Sequence, residues 1–373
     1  MELVYFEAKI MNILQEKCFT KGWLDEQRAE MKRVDPGLLE KSIYALELVG
    51  LLVHKEIPFF FKGGTCMLLL LDEIRRLSID VDIVCTASGA ELEAVLKEIG
   101  EESRFENFEP DRRDPNRLPK RSHYKYGYTS AVNGRPAEIL LDVMEEECLY
   151  PRTISKPVAA PFAIPENQFD VQVPTIEGLT ADKLTAFAPC TIGVLYSERS
   201  SLKIIKHCAD IGKLFDHCEN MRELLAAYEA IWPVEESYRK EPFSREQVLS
   251  DTVEAARLIG LLGLTGVCPE TEKTDILIKG IRQLDSHIIG KKFSMDEAKI
   301  CAAKAAWLAT ALKQDDRIES FPRYSVEELR ELAASPLTEE LAPLNRLKSG
   351  VPEAYYYWLK ADVISGRRSA ENF

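Results

Sequence analysis

The sequence lacks the features that define several large classes of protein. None of its nine cysteines forms a Cys-x-x-Cys pair and their number is odd, so neither a disulfide framework nor a zinc site is expected. No apolar run approaches the roughly 20 residues of a membrane span. The N-terminus also lacks the basic and apolar segments of a secretory leader. The sequence therefore predicts a soluble, cytoplasmic protein with reduced thiols and no membrane association.

An excess of positive charge is also missing. Lys and Arg number 48 against 61 for Asp and Glu, which gives a net charge of -13, so the protein as a whole repels a polyanion. One segment, 112–125, runs against this trend with six basic residues. Three tyrosines, at 124, 126 and 128, alternate along the strand pattern that follows. Basic and aromatic side chains together predict a local contact with single-stranded RNA, and a solvated basic loop is the alternative.

The first half of the chain alternates between helical and strand patterns. Apolar residues at helical spacing predict helices, and alternating apolar residues predict strands. The turn signal Asn133-Gly134 between two alternating runs predicts an antiparallel hairpin. The other predicted elements are helices at 37–55, 66–76 and 90–100, strands at 56–64 and 78–85, and a loop at 101–122.

Residues from Thr175 onward show almost continuous helical spacing. The sequence thus predicts an α+β fold in which residues 1–172 form a core with a small mixed sheet and residues 173–373 form a helical domain. The clearest helical segments of the second half are 201–218, 222–231, 246–263, 295–313 and 325–334.

Two aspartates interrupt an otherwise apolar strand pattern. Side chains alternate along a strand, so Val81 and Ile83 enter the core while Asp80 and Asp82 share the opposite face. Two neighbouring carboxylates need a positive partner, and Mg²⁺ prefers carboxylate oxygens together with water and substrate phosphates. An edge strand with an acidic exposed face is the alternative.

A pair of glycines precedes the aspartates. Gly63 and Gly64 allow the backbone to approach a ligand closely. The helix predicted after them begins with N–H groups that favour an anion such as a triphosphate. The order of the two features predicts a phosphate-binding turn beside a metal-binding pair.

These residues resemble the signature of the AbiEii abortive-infection family of nucleotidyltransferase toxins, within the DNA polymerase beta-like superfamily. The resemblance extends over about residues 55–215 and implies a polymerase beta-like core. It also implies that Asp80 and Asp82 bind two Mg²⁺ ions, with Mn²⁺ as a substitute, and that the other motif residues bind an NTP. The motifs that carry it are Lys62-Gly63-Gly64-Thr65 and Arg76-x-Ser78-x-Asp80-x-Asp82.

The family's remaining site residues have matches farther along the chain. Asp142 corresponds to the third metal-binding carboxylate, and strand alternation places it away from the apolar side. Glu138 shares that face but lies roughly 13 Å away along the strand, so both cannot bind one metal pair. Lys183 in "TADKLTAFA" and Asp210 in "KIIKHCADIGKLFD" match the family's later helices, where the resemblance implies catalytic roles. The chain departs from the family at His207, where an acidic residue is common.

The resemblance implies a function that composition and spacing do not. Members transfer a nucleotide from an NTP to an RNA acceptor, such as tRNA, and act as growth-inhibiting toxins with a cognate antitoxin in toxin–antitoxin or phage-defence systems. Two alternatives remain open at this point. One is a small-molecule nucleotidyltransferase of the aminoglycoside-modifying kind, and the other is a catalytically inactive binding module.

Overall fold

The computed structural model describes residues 12–111, 119–314 and 317–366, so part of the predicted RNA-contacting segment, 112–118, lies outside the described residues. Contacts group the chain into two units. The first unit contains the described residues up to Cys148, together with Thr153–Pro174 and Ser286–Lys291. The second unit contains Leu149–Arg152, Thr175–Asp285 and the described residues from Lys292 onward.

A mixed five-stranded sheet is the centre of the first unit, as the sequence predicts. Its strands are β1 (Phe59–Lys62), β2 (Val81–Cys85), β3 (Asn107–Pro110), β4 (Arg121–Thr129) and β5 (Pro136–Met144). They lie in the order β1-β2-β5-β4-β3. β2 and β5 are parallel, and the other neighbours are antiparallel. The remaining strands, β6 (Thr153–Pro157) and β7 (Asp170–Pro174), form a separate antiparallel pair.

Four α-helices belong to the same unit. The long α2 begins after Asp35, whose side chain accepts a hydrogen bond from the Leu38 N–H and so satisfies one of the first free donors of the helix. The predicted helices 37–55 and 90–100 are confirmed. The four are α1 (Lys21–Met31), α2 (Pro36–His54), α3 (Met67–Leu70) and α4 (Gly89–Glu102), and a 3₁₀ turn at Glu16–Phe19 precedes them.

One face of the sheet is buried, and its side chains follow the predicted alternation. Ile139, Leu141 and Val143 of β5 are each at most 1% exposed. In the cross-strand register their neighbours on β4 include Tyr124 and Tyr126. The opposite face therefore carries the alternating polar positions of β2, β4 and β5.

The predicted RNA contact is wrong for the three tyrosines of β4, because all three are buried. Tyr128 stacks on Tyr44 of α2 with 3.6 Å between ring centroids, and Tyr124 stacks on Phe108. Tyr126 is fully buried and donates a hydrogen bond to the Leu96 carbonyl, and burial raises the pKa of this phenol well above its usual value. Alternation separates the tyrosines from the basic residues, and the tyrosines occupy the core side.

Several predicted boundaries differ from the structure, and three of them change an element near the glycine and aspartate motifs or in the predicted loop. The helix predicted over 66–76 ends at Leu70. Its residues are buried on all sides, and an apolar run without a polar face does not show where a helix ends. The strand predicted over 78–85 begins at Val81, so Asp80 lies just before β2. The segment predicted as a loop, 101–122, contains β3 and the start of β4, and β3 depends on pairing with β4.

The second unit is helical throughout its described elements, which confirms the predicted α+β fold class. In its interior, Trp307 of α10 packs edge to face against Phe215 of α6. No helix among the described residues is long and apolar enough to cross a membrane. The helices are α5 (Ile176–Ala186), α6 (Ser201–Phe215), α7 (Met221–Ser237), α8 (Arg245–Leu261), α9 (Glu272–Leu284), α10 (Met295–Leu312), α11 (Val326–Leu332), α12 (Leu347–Gly350) and α13 (Pro352–Ile364), with 3₁₀ turns at Asp285–His287 and Glu339–Arg346.

A late segment of the chain completes the first unit. Ile288 forms an antiparallel bridge with Arg76, just before the aspartates of β2. The Leu77 N–H donates to the His287 carbonyl at 3.0 Å, and the Ile289 N–H donates to the Arg75 carbonyl at 2.9 Å. We call residues 286–291 the bridging segment.

The backbone bond from Ile289 generates a testable prediction. We expect Ile289→Pro, which removes the donor, to unfold at lower denaturant concentration than Ile289→Ala, which shortens the same buried side chain but keeps the N–H. A buried acceptor left without its partner costs about 1–3 kcal/mol. Urea unfolding of both variants measures the difference, and amide exchange at Leu77 should speed up only in the proline variant. Equal stability and equal exchange would show that the bridge contributes nothing.

Candidate active site

The two glycines after β1 pack directly against the side chains of the aspartate motif. Gly63 has φ +80°, a conformation that favours glycine, and a Cβ atom there would collide with the Asp82 carboxylate. A Cβ atom on Gly64 would lie 2.7 Å from Ser78 Oγ and 2.8 Å from Arg76 Nη2. Any side chain at either glycine would displace these groups. The structure thus brings together the two motifs that the sequence separates by a short helix.

Thr65 fixes the start of the aspartate strand. Its side chain is fully buried, and its hydroxyl donates a hydrogen bond of 2.5 Å to the Asp80 carbonyl. Ser42 of α2 donates to the Ser78 carbonyl at 2.9 Å. These bonds hold the chain from Ser78 to Asp80 in place before β2 begins. The Thr65 hydroxyl therefore has a structural partner, and its contact with a nucleotide stays a prediction.

A row of four directly opposed residues crosses the sheet at the aspartates. In the register, Lys62 of β1 lies opposite Asp82 of β2, and Asp82 lies beside Asp142 of β5. Asp142 in turn lies opposite His123 of β4. Neighbouring strands are about 4.8 Å apart, so opposed side chains on one face are near neighbours. We call these residues the cross-strand row.

Asp142 occupies the position that the resemblance implies for a third carboxylate. Asp82 and Asp142 are both half-buried, whereas Val81 and Leu141 before them are fully buried. Asp80 precedes Asp82 by two residues and is also half-buried. The structure therefore places the carboxylates of Asp82 and Asp142 on adjacent strands, with Asp80 just outside the strand end.

His123 is a member of the cross-strand row that sequence reasoning missed. Its Nδ1 lies 2.5 Å from Asp142 Oδ1, and the two side chains are 10% and 28% exposed. His123 and Asp142 are 19 residues apart in sequence. A hairpin through Asn133-Gly134 brings them within reach, but the sequence pattern alone did not single out His123 among the polar residues of β4.

The donor set fits a divalent cation with an open coordination shell. Carboxylate oxygens are the ligands that Mg²⁺ prefers, and this ion usually keeps water and substrate phosphates in its remaining positions. Among the described residues, no group of three His, Cys, Asp or Glu side chains is arranged to hold a metal ion by itself. The aspartates thus supply oxygen ligands of the type that Mg²⁺ prefers, and binding of a metal ion here stays a prediction.

Lys183 and Asp210 meet inside the second unit. Lys183 Nζ of α5 lies 3.6 Å from Asp210 Oδ2 of α6, and the two side chains are 5% and 3% exposed. Lys203 precedes Asp210 by seven residues, a spacing that puts both on one side of α6, but Lys203 is exposed whereas Asp210 is buried. The later half of the predicted site is therefore a buried ion pair.

The predicted site residues thus fall into two groups. One group surrounds β1, β2 and β5 of the first unit, and the other consists of Lys183 and Asp210 in the second unit. The contribution of both groups to a single site stays a prediction. The first group comprises Lys62, Gly63, Gly64, Thr65, Arg76, Ser78, Asp80, Asp82 and Asp142.

Two solved structures from Helicobacter pylori are similar at 14% sequence identity. JHP933 has a TM-score of 0.42 and covers 75% of this chain and 94% of its own. A protein provisionally assigned as a nucleotidyltransferase has a TM-score of 0.37 and covers 79% and 99%. Both likenesses are too low to assign a function.

A comparison with curated proteins gives no match. The model of one protein family does match, over residues 48–260, and its description is nucleotidyl transferase AbiEii toxin, type IV toxin–antitoxin system. The matched span is more than half of the chain and includes the glycine turn, the cross-strand row and the Lys183–Asp210 pair. The chain therefore belongs to the AbiEii family of nucleotidyltransferase toxins of type IV toxin–antitoxin systems.

Proposed function

We propose that the protein transfers a nucleoside monophosphate from an NTP to an RNA acceptor, with tRNA as the first candidate, in a Mg²⁺-dependent reaction. We further propose that this transfer inhibits bacterial growth, that a cognate antitoxin opposes it, and that the pair serves in phage defence. The observation that carries the proposal is the cross-strand row beside the glycine turn. Membership of the AbiEii family supports the nucleotidyltransferase and toxin roles.

The aspartates would hold the metal in this reaction. Asp82 and Asp142 supply carboxylates from neighbouring strands, and Asp80 supplies a third group from just before β2. When bound, Mg²⁺ would neutralise phosphate charge and lower the pKa of the attacking hydroxyl. The positions of the carboxylates in the sheet would determine where the positive charge of the ion lies.

The glycine turn would bind the triphosphate. The absence of side chains at Gly63 and Gly64 lets Asp82 and Arg76 pack against the turn. A triphosphate held by these groups would therefore lie close to the N–H donors of the turn backbone. Arg76 lies against Gly64, and its guanidinium is suited to binding phosphate oxygens in pairs. Lys62 at the end of β1 adds positive charge in the cross-strand row. These groups orient the NTP and offset the negative charge of the leaving pyrophosphate.

Lys183 would add a compact positive charge to a phosphate oxygen. Its buried partner Asp210 restricts the ammonium group to one position, and a restricted charge loses little freedom when it binds substrate. The acidic protein as a whole repels RNA, so an RNA acceptor must be held by local positive charge. The choice of NTP and acceptor is left to the assay below.

The central experiment incubates the full-length protein with each labelled NTP, Mg²⁺ and total tRNA. We expect label on RNA with the wild type and none with Asp82→Asn, since the amide keeps the side-chain volume but removes the charge that binds the cation. Asp72→Asn is the matched control, because Asp72 is an exposed aspartate of the preceding segment. Label on an added aminoglycoside instead of RNA would support the small-molecule alternative. An absence of all label would support an inactive binding module.

Gly63→Ala tests the close contact between the turn and Asp82. We expect this variant to lose at least about 100-fold in transfer, because the new methyl group displaces a metal-binding carboxylate, and a displacement of about 1 Å can cost that factor. Gly89→Ala is the control: its φ of +75° gives a similar backbone strain, but nothing lies within 4 Å of the added Cβ. If both variants lost the same activity, strain rather than Asp82 displacement would be the cause.

The Lys183–Asp210 pair calls for a double substitution. Lys183→Met alone breaks a buried ion pair, which costs about 3–5 kcal/mol of stability. We expect Lys183→Met with Asp210→Leu to recover most of that stability without recovering transfer. Urea unfolding and labelled-NTP kinetics on the single and double variants measure the two effects. Recovery of transfer together with stability would assign the pair a purely structural role.

A further inference from the structure

His123 has a geometry that suggests more than strand packing. It lies directly opposite Asp142 in the register of β4 and β5, with 2.5 Å between its Nδ1 and Asp142 Oδ1. Its side chain is 10% exposed, against 28% for Asp142. A mostly buried imidazole thus holds one oxygen of a more accessible carboxylate.

The chemistry of the pair fixes the direction of the bond. A carboxylate that binds a cation only accepts hydrogen bonds, so in that state the imidazole Nδ1–H is the donor. The donor engages Oδ1, and Oδ2 is the second acceptor atom of the same carboxylate. The bond therefore orients Asp142 without using both of its oxygens.

The neighbouring strand supplies the reason for such a tether. Asp82 lies beside Asp142 on the other side, and like charges directly opposed across strands repel one another. His123 lies on the side of Asp142 away from Asp82. Its bond to Oδ1 therefore holds that oxygen toward β4 and limits the rotation of the carboxylate.

We infer that His123 is a positioning residue of the nucleotidyltransferase site, which holds the Asp142 carboxylate in the orientation needed to bind a divalent cation beside Asp82. This inference rests on the proposed function, because it presupposes that the aspartates bind metal. Hydrogen bonds from outer residues to metal-binding side chains typically change metal affinity by about 10–100-fold. His123 acts only through Asp142 in this assignment.

Two substitutions separate positioning from packing. His123→Asn loses ring volume but places an amide N–H donor close to the position of Nδ1. His123→Phe keeps the ring volume but has no donor. A positioning role predicts that the asparagine variant retains metal binding and the phenylalanine variant loses it, whereas a packing role predicts the reverse order. Ser122→Ala on the same strand is the control, since its hydroxyl bonds to Glu145 and not to Asp142.

The experiment titrates the full-length protein with Mn²⁺ and follows the free ion by electron paramagnetic resonance, without NTP. We expect the dissociation constant to rise about 10–100-fold in His123→Phe and to stay within about threefold of the wild type in His123→Asn and Ser122→Ala. Labelled-NTP assays on the same proteins should show a matching rise in the Mg²⁺ concentration for half-maximal rate, with a smaller loss at saturating Mg²⁺. If His123→Phe is unfolded by circular dichroism, His123→Gln, whose amide cannot reach the Nδ1 position, replaces it.

The outcomes distinguish this inference from the proposed function. Loss of Mn²⁺ binding in His123→Phe without any nucleotide transfer by the wild type would support the positioning role and overturn the proposed reaction. Transfer by the wild type with equal Mn²⁺ affinity in all variants would support the reaction and overturn the role of His123. A wild type that neither binds Mn²⁺ nor transfers label would overturn both.

Discussion

The parallel pairing of β2 with β5 sets Asp82 beside Asp142, and the geometry of the site depends on how these two neighbouring negative charges are accommodated. Like charges in directly opposed positions destabilise a sheet. Lys62 occupies the next position on one side and His123 the next position on the other. The row thus places one positive and one hydrogen-bonding group around the two carboxylates.

The buried face of the sheet determines where this row lies. A shift of one residue in strand register moves every side chain to the opposite face. In β4 such a shift would expose Tyr124, Tyr126 and Tyr128 and bury His123 between hydrophobic neighbours. The stacking of Tyr44 on Tyr128 at 3.6 Å and the bond from Tyr126 to Leu96 oppose it. The packing of the tyrosines on the buried face of the sheet therefore fixes the positions of the polar side chains on the opposite face.

The predictable parts of this protein are those encoded by neighbouring residues. The glycine turn, the hairpin at Asn133-Gly134 and the alternation around Asp82 and Asp142 depend on local spacing, and the structure has them where the sequence predicts. The family resemblance drawn from the same motifs is confirmed by the family match. Long-range register is not encoded locally, which explains why the contact between His123 and Asp142 was not predicted.

Two further differences have a similar origin. Alternation predicts that the tyrosines of β4 lie on one face of the strand. It does not predict that α2 packs against that face. Helical spacing likewise groups Asp210 with the lysines of α6, although contact with Lys183 of α5 buries it. In both examples the exposure of a residue depends on a second helix that packs against it. The sequence pattern gives information only about the helix or strand that contains the residue.

The bridging segment has a consequence for the synthesis of the protein. Ile288 follows its partner Arg76 by about 210 residues, so a ribosome adding roughly 5–20 residues per second needs on the order of 10–40 s to supply it. During that interval the nascent chain contains the complete glycine and aspartate motifs but lacks the strand partner of Arg75 to Leu77. Completion of the first unit thus waits until the bridging segment has been translated.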